Sequence, residues 1–275
     1  MAATLKIRLA AIFLKVSKLK AKTKYAIISI ISLITFILIW EIVSKTGIVS
    51  PRKLPAPSKL LDTFVYKLSN KNPDGNTIGV HIVTSLQEAL LGFFFGIVIG
   101  VPLGISMAWF HKFDKFFSPL FDLIKPIPPV GWVPIMITFF GIGIMSKVSV
   151  IFIASFIPAI INSYSGIKQA KDVHKWVAQT FGAKNRQVLF TVAIPSAAPM
   201  IFTGARVALN GSWVSLVAAE LIASTKGLGY MIQMARLVGR IDVVFVGVLV
   251  IGVFGAIMMS LLSYLEKKFV KGGRR

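Results

Sequence analysis

The sequence predicts an all-α protein that crosses a membrane about six times. Three observations carry that expectation. The 275-residue chain is 55% hydrophobic and only 15% charged, and its mean hydropathy is +0.78, a balance that belongs to a polytopic membrane protein rather than a soluble domain. Six apolar runs, at about residues 25–43, 84–110, 119–141, 147–166, 196–222 and 240–265, have spanning length. The hydrophobic second half is interrupted by one long polar stretch, Gln169 to Pro199. The size suits a single domain of about six spans.

Taken in order, the first 24 residues carry seven Lys/Arg and no acid. Leu5, Leu9, Ile12, Phe13, Val16 and Leu19 fall on one helical face, and Arg8, Lys15, Lys18 and Lys22 on the other. Residues 1–24 are therefore predicted to form an amphipathic helix on the inner membrane surface. The next apolar run ends in Trp40-Glu41 rather than a small-residue cleavage site, so it reads as a retained first span. It opens a transmembrane domain over residues 25–275. Leu54-Pro-Ala-Pro-Ser58 predicts a short helix capped by Ser58. Ser69 to Gly79 reads as a polar loop that turns at Pro73-Asp74-Gly75.

In the second span Gly92, Gly96, Gly100 and Gly104 recur along one face, a spacing that lets helices approach closely within a subunit or across a dimer. The third span is interrupted by Pro126, Pro128, Pro129 and Pro134, so it should face other helices or a cavity rather than lipid. Pro128 and Trp132 are candidates for lining such a path. Ionisable residues inside spans are costly and mark candidate sites: Glu88 in the second, Arg206 and Glu220 in the fifth. Arg206 and Glu220 are roughly 21 Å apart along a helix and cannot pair with each other. Asn210, Ser212 and Trp213 lie between them. That polar, aromatic midsection suits a small polar solute, and it equally suits groups satisfied by neighbours within a bundle.

With the N-terminus inside, residues 1–24, 111–118, 167–195 and 266–275 are the inner segments. They hold about 19 Lys/Arg against about ten in the outer segments and their edges, which places both termini in the cytoplasm. Cytoplasmic loops and anionic headgroups account for the net charge of +21 without nucleic acid. There is no cysteine, so disulfides, thiol catalysis and thiolate metal sites are excluded. His81, His111 and His174 are scattered, and no phosphate loop, paired carboxylates or nucleophile elbow occurs. The chain is not expected to be an enzyme, nor to bind a metal or cofactor.

The polar stretch, taken as a loop over about 168–195, carries Lys168, Lys171, Lys175, Lys184 and Arg186 against Asp172 alone, which suits the cytoplasmic side. It predicts a helix over about 169–181, a break at Gly182, a second short helix over about 184–193, and Pro195 opening the next apolar run. Val177, Ala178 and Phe181 form an apolar stripe that needs a partner. The segment resembles the coupling loop of membrane-spanning subunits of bacterial ABC importers: Ala178, Gly182 and Ile194-Pro195 match, while Trp176 stands where that motif has Glu and Val177 where it has its first Ala. The resemblance extends through Leu54-Pro-Ala-Pro, His81 to Gly104, Pro128 to Pro134, Phe140 to Gly143, Phe156 to Pro158, Thr203 to Arg206, Trp213 to Glu220 and Gly227 to Tyr230. These blocks are similar to permeases for nitrate, bicarbonate, aliphatic sulfonates and taurine.

That resemblance implies the type I ABC importer permease fold in a bacterial cytoplasmic (inner) membrane. It implies a homodimer of permeases, two cytoplasmic ATPase subunits that bind ATP and Mg, and a periplasmic or lipid-anchored solute-binding protein. Transport would proceed by alternating access, with Trp176, Ala178, Phe181, Gly182 and Ala183 engaging the ATPase. A nitrate-, sulfonate- or taurine-like anion is the favoured solute. The same subgroup also serves thiamine precursors, riboflavin and aromatic acids. A different class, an ion-coupled secondary transporter using the intramembrane Glu and Arg, is the competing reading.

Overall fold

The computed structural model describes residues 25–269; the helix expected over residues 1–24 lies outside them. The described residues form helices, turns and loops, with no strand. They divide into two compact units, one ending at Thr63 and the other starting at Phe64.

The first unit contains α1 (Tyr25–Lys45), a helix of 21 residues long and apolar enough to cross a membrane. Its last turns are tied to the following loop. Trp40 Nε1 donates to the Pro55 carbonyl at 3.1 Å and Ser44 Oγ to that of Leu54 at 2.6 Å. α2 (Pro57–Ser69) begins at Pro57, one residue before the expected cap. Proline needs no N–H partner at the first helical position. Ser58 is already helical, and the Glu41 carboxylate takes both its N–H, at 3.0 Å, and its hydroxyl, at 2.7 Å. The cap thus comes from another helix.

The second unit continues through α3 (Ile78–Trp109), α4 (His111–Ile124), a 3-10 turn (Pro129–Trp132), α5 (Val133–Phe140), α6 (Ile144–Lys168), α7 (Asp172–Thr180), α8 (Asn185–Val188), a π-helical turn (Leu189–Ala193), α9 (Ile194–Ile222), α10 (Leu228–Leu237) and α11 (Ile241–Phe269). Its core is α3, α6 and α9. The glycine stripe of α3 lies on α6 in parallel register: Gly92 on Ile151, Gly96 on Ser155, Gly100 on Ala159, Gly104 on Ser163. A Cβ on Gly92 would lie 2.5 Å from the Ile151 Cβ. Ser155 Oγ crosses the seam to the Gly92 carbonyl at 3.1 Å. Lipid offers no hydrophobic drive for helix association, so close backbone packing and such hydrogen bonds supply it. α9 runs antiparallel to α6, with Gly166 against Ala197 and Met200, and Gly204 against Asn162. The stripe therefore packs within the subunit.

Three sequence expectations are corrected. The third apolar run, expected as a span over 119–141, is a bent pair of helices. α4 and the segment Pro129–Phe140 meet at 86°, and α4 begins at His111, inside the stretch expected to be a loop. The break falls at Pro126, Pro128 and Pro129, which lack the donors a continuous helix requires. The second span starts at Ile78 rather than 84, because His81, Ser85 and Glu88 depress its hydropathy although all three are buried. Finally, the short helix expected over 184–193 is α8 and the π turn, and it runs on into α9 without a break at Pro195. Ile194 N–H reaches back to the Leu189 carbonyl through the π turn, and Asn185–Ile222 runs as one long helix. A π turn inserts a residue and moves the site where a proline ring would clash.

Candidate functional site

The two ends of the helix bundle differ in chemistry. The first end carries α7. Asp172 sits in its first turn, where the helix dipole favours a carboxylate. The helix closes on Gly182, whose φ of +85° is left-handed. Gly182 N–H returns to the Gln179 carbonyl at 2.8 Å and Ala183 N–H to that of Ala178 at 3.1 Å, the double bond pattern of a Schellman ending. α8 then starts with Lys184 N–H bonded to Gln187 Oε1 at 2.7 Å. One face of α7 presents Val173, Trp176, Val177 and Phe181 outward, and Phe181 is 88% exposed. Ala178 and Ala183 are half-buried. Beneath the loop lies a buried cluster drawn from four elements: Ala108 of α3, Ile167 at the end of α6, Leu189 and Ala193 of the π turn, and Ala197 of α9. Lys175 Nζ sits 5.9 Å over the Trp109 ring, adding a contact between α7 and α3. The five residues expected to act together here, Trp176, Ala178, Phe181, Gly182 and Ala183, do lie together.

The opposite end holds a buried polar network. Lys67 Nζ and Asp74 Oδ1 are 2.7 Å apart, and both side chains are fully buried. Lys67 Nζ also donates to the carbonyls of Asn72, at 3.2 Å, and Asn76, at 2.8 Å. Asp74 Oδ2 pairs with His81 Nε2. Because His81 Nδ1 accepts from Gly227 N–H at 3.0 Å, the ring hydrogen is on Nε2 and points at Asp74. Burial pushes the Asp74 carboxyl up, but hydrogen bonds from His81 and Lys67 outweigh it and hold the carboxyl below the usual carboxylate range. Ser85 Oγ donates to Glu220 Oε1 at 2.6 Å and accepts from Leu228 N–H at 2.9 Å. Glu220 Oε2 accepts from Gly229 N–H at 2.8 Å. Lys147 Nζ lies 2.5 Å from Glu88 Oε1 and 2.9 Å from Ser224 Oγ. A Cβ on Gly227 would strike the Glu220 carboxylate, and one on Gly229 would lie 2.7 Å from the Glu220 Cβ.

The candidate path residues separate. Glu88 and Glu220 are buried in this network. Arg206 pairs with Glu266 of α11. Trp213 is buried, with Nε1 bonded to the Ile251 carbonyl at 3.1 Å. Asn210 is exposed at a groove of about 330 Å³ between α9 and α11. Pro128 is exposed, and Trp132 packs on a cluster of Val133, Val150 and Ala219. The sequence reading missed Lys67, Asp74, His81, Ser85 and Lys147. A signal for part of this was present: His81, Ser85 and Glu88 continue the Gly92–Gly104 stripe at helical spacing on one face.

Comparison with known proteins follows from this architecture. The profile of binding-protein-dependent transport system inner membrane components matches residues 100–271. The chain is similar to the taurine transport system permease protein TauC of Escherichia coli (strain K12), 34% identical over 88% of each chain. It is similar to the putative aliphatic sulfonates transport permease protein SsuC of Bacillus subtilis (strain 168), 32% identical over 86% of this chain and 83% of that one. It is also similar to the nitrate import permease protein NrtB of Synechocystis sp., 28% identical over 87% and 88%. Among solved structures, its fold is similar to an inward facing conformation of the MetNI methionine ABC transporter, with a TM-score of 0.58 and 18% identity over 71% of this chain and 95% of that chain.

Proposed function

From the premise that this chain belongs to the binding-protein-dependent transport system inner membrane components, the permease subunits of ABC importers, we propose that α7 and its Gly182 turn are the surface that a separate cytoplasmic ATPase grips. The observation that carries this reading is the exposed stripe Val173, Trp176, Val177 and Phe181 on an otherwise polar helix. Such a stripe at the aqueous end of a membrane bundle marks a protein contact. Trp176 supplies a large aromatic anchor rather than a carboxylate, so the grip is chiefly apolar.

The mechanism follows from what lies beneath the stripe. The cluster of Ala108, Ile167, Leu189, Ala193 and Ala197 joins the loop to the ends of α3, α6 and α9. A displacement of α7 by the ATPase therefore moves three spans together. ATP and Mg act on the partner subunit, and their binding shifts the permease between outward and inward states only through a difference in affinity for the two. A second permease copy, two ATPases and an external binding protein complete the assembly, with loop 169–193 and both termini on the cytoplasmic side. Pro128, Trp132, Asn210 and Arg206 are the residues proposed to border the path. The network partners of Glu88 and Glu220 favour a positioning role for those two. The solute is a small oxyanion, as the names of the taurine, sulfonate and nitrate relatives suggest.

The Gly182→Pro variant tests the coupling assignment. Proline cannot adopt the φ of +85° and has no N–H for the Gln179 carbonyl. The variant is expected to insert and to retain the helical spans, while stimulation of the partner ATPase by loaded binding protein falls to background. Wild-type stimulation in Gly182→Pro refutes the assignment.

A further inference from the structure

The first N–H groups of a helix have no intrahelical partners and are normally capped by a nearby side chain. α10 has none of its own, because its N-cap is Gly227. Its capping is entirely tertiary. Three consecutive N–H groups, of Gly227, Leu228 and Gly229, are taken by His81 and Ser85 of α3 and by Glu220 of α9. All three acceptor residues are buried to within 1%. Only glycine fits at 227 and 229, because the Glu220 side chain occupies the space of a Cβ at both. Moving α10 away from α3 would strand the Gly227 and Leu228 donors, and moving it away from α9 the Gly229 donor, each together with its acceptor and at the full cost of a lost buried hydrogen bond.

The clamp sits at the head of a continuous rigid path. α3 is joined to α6 by Glu88–Lys147 and then by the glycine register along its length. At the other end the same two helices supply Ala108 and Ile167 to the cluster under loop 169–193.

We propose that His81, Ser85 and Glu220 are positioning residues of transport: they clamp α10 to α3 and α9, so that docking at the face carrying α10 is felt at loop 169–193 through the α3–α6 pair. This rests on the importer reading, with α10 on the outer face. Asp74 serves the clamp indirectly by fixing the tautomer in which His81 Nδ1 accepts.

The test uses the complex of this chain with its ATPase in lipid nanodiscs, titrated with the partner binding protein loaded in turn with taurine, an alkanesulfonate and nitrate. Glu220→Ala removes the acceptors of Gly229 N–H and of the Ser85 hydroxyl. Its half-maximal stimulation is expected to require about tenfold more loaded binding protein, the scale of one lost buried hydrogen bond. Its unstimulated ATPase and its recovery of ATPase on purification should match wild type. Amide exchange over residues 227–231 should accelerate about tenfold in the same variant. Glu220→Gln retains an oxygen for Gly229 and is expected to restore most of the response. Should Glu220→Ala fail to assemble, Ser85→Ala, which removes a single capping acceptor, is read in the same way. Faster exchange with a wild-type response overturns the proposal and leaves the clamp purely structural. A wild-type chain with which the ATPase does not co-purify overturns the importer reading itself, and the proposal with it.

Discussion

Replacing Lys147 with Met would leave the Glu88 carboxylate buried beside a neutral thioether. The Glu88 side chain is 2% exposed and that of Lys147 is 6% exposed, with 2.5 Å between Glu88 Oε1 and Lys147 Nζ. At an effective dielectric of about 20, charges at that separation attract by about 7 kcal/mol. Much of this offsets the desolvation of the two ions, and the measured cost of stripping one partner from a buried pair is about 3–5 kcal/mol. The upper half of that range applies here. Glu88 Oε2 has no hydrogen-bond partner within the described residues, and Ser224 Oγ also loses its ammonium donor. The double variant Glu88→Leu/Lys147→Met removes both charges and should lie within about 1 kcal/mol of wild type. The assay is equilibrium unfolding in mixed micelles of rising denaturing-detergent fraction, followed by tryptophan fluorescence. A single variant as stable as wild type, or a double variant as unstable as the single, would refute the assignment of this pair as the bond between the α3 and α6 ends.

Two further outcomes follow from the packing and the charges. Gly92→Leu places a side chain where a Cβ alone would lie 2.5 Å from Ile151 and 3.1 Å from the Phe152 backbone nitrogen. It should cost about 1–3 kcal/mol or more in the same unfolding assay, whereas Gly252→Leu, with nothing near its Cβ position, should cost far less. Asp74 has a folded pKa held below the unfolded value of about 3.9. Its contribution is therefore fully present above that value and is lost only as pH falls through the lower folded pKa. The stability gap between wild type and Asp74→Asn should stay constant from about pH 7 to about pH 5 and shrink below about pH 4; a gap that closes between pH 7 and pH 5 contradicts the pairing with Lys67 and His81.

Much of this architecture was legible in the residues because membrane burial is written in hydropathy. A run of apolar side chains long enough to cross hydrocarbon has few alternatives to a helix. The Gly92–Gly104 stripe announced close packing, although not its partner. The loop at 169–193 was legible for the same reason in reverse: it is the long polar stretch of the second half, and Gly182 marks where its helix must turn. The far-end network was not legible. Asp74 read as part of a polar loop, and nothing in the sequence singled out Lys67 or Lys147. Only packing buried them, and nothing in linear order pairs Ser85 with Glu220 or His81 with Gly227.

Composition, apolar periodicity and the placement of Pro and Gly determined by themselves that the chain is a helical membrane protein, where most of its spans lie, and where its polar loop breaks. Those properties depend on local sequence, because each span satisfies its own backbone and meets the lipid alone. The bend of the third run, the continuity through the π turn at Pro195, and the clamp on α10 were decided by tertiary structure. Each depends on which helices become neighbours. A buried carboxylate, ammonium or imidazole is stable only when another element delivers its partner.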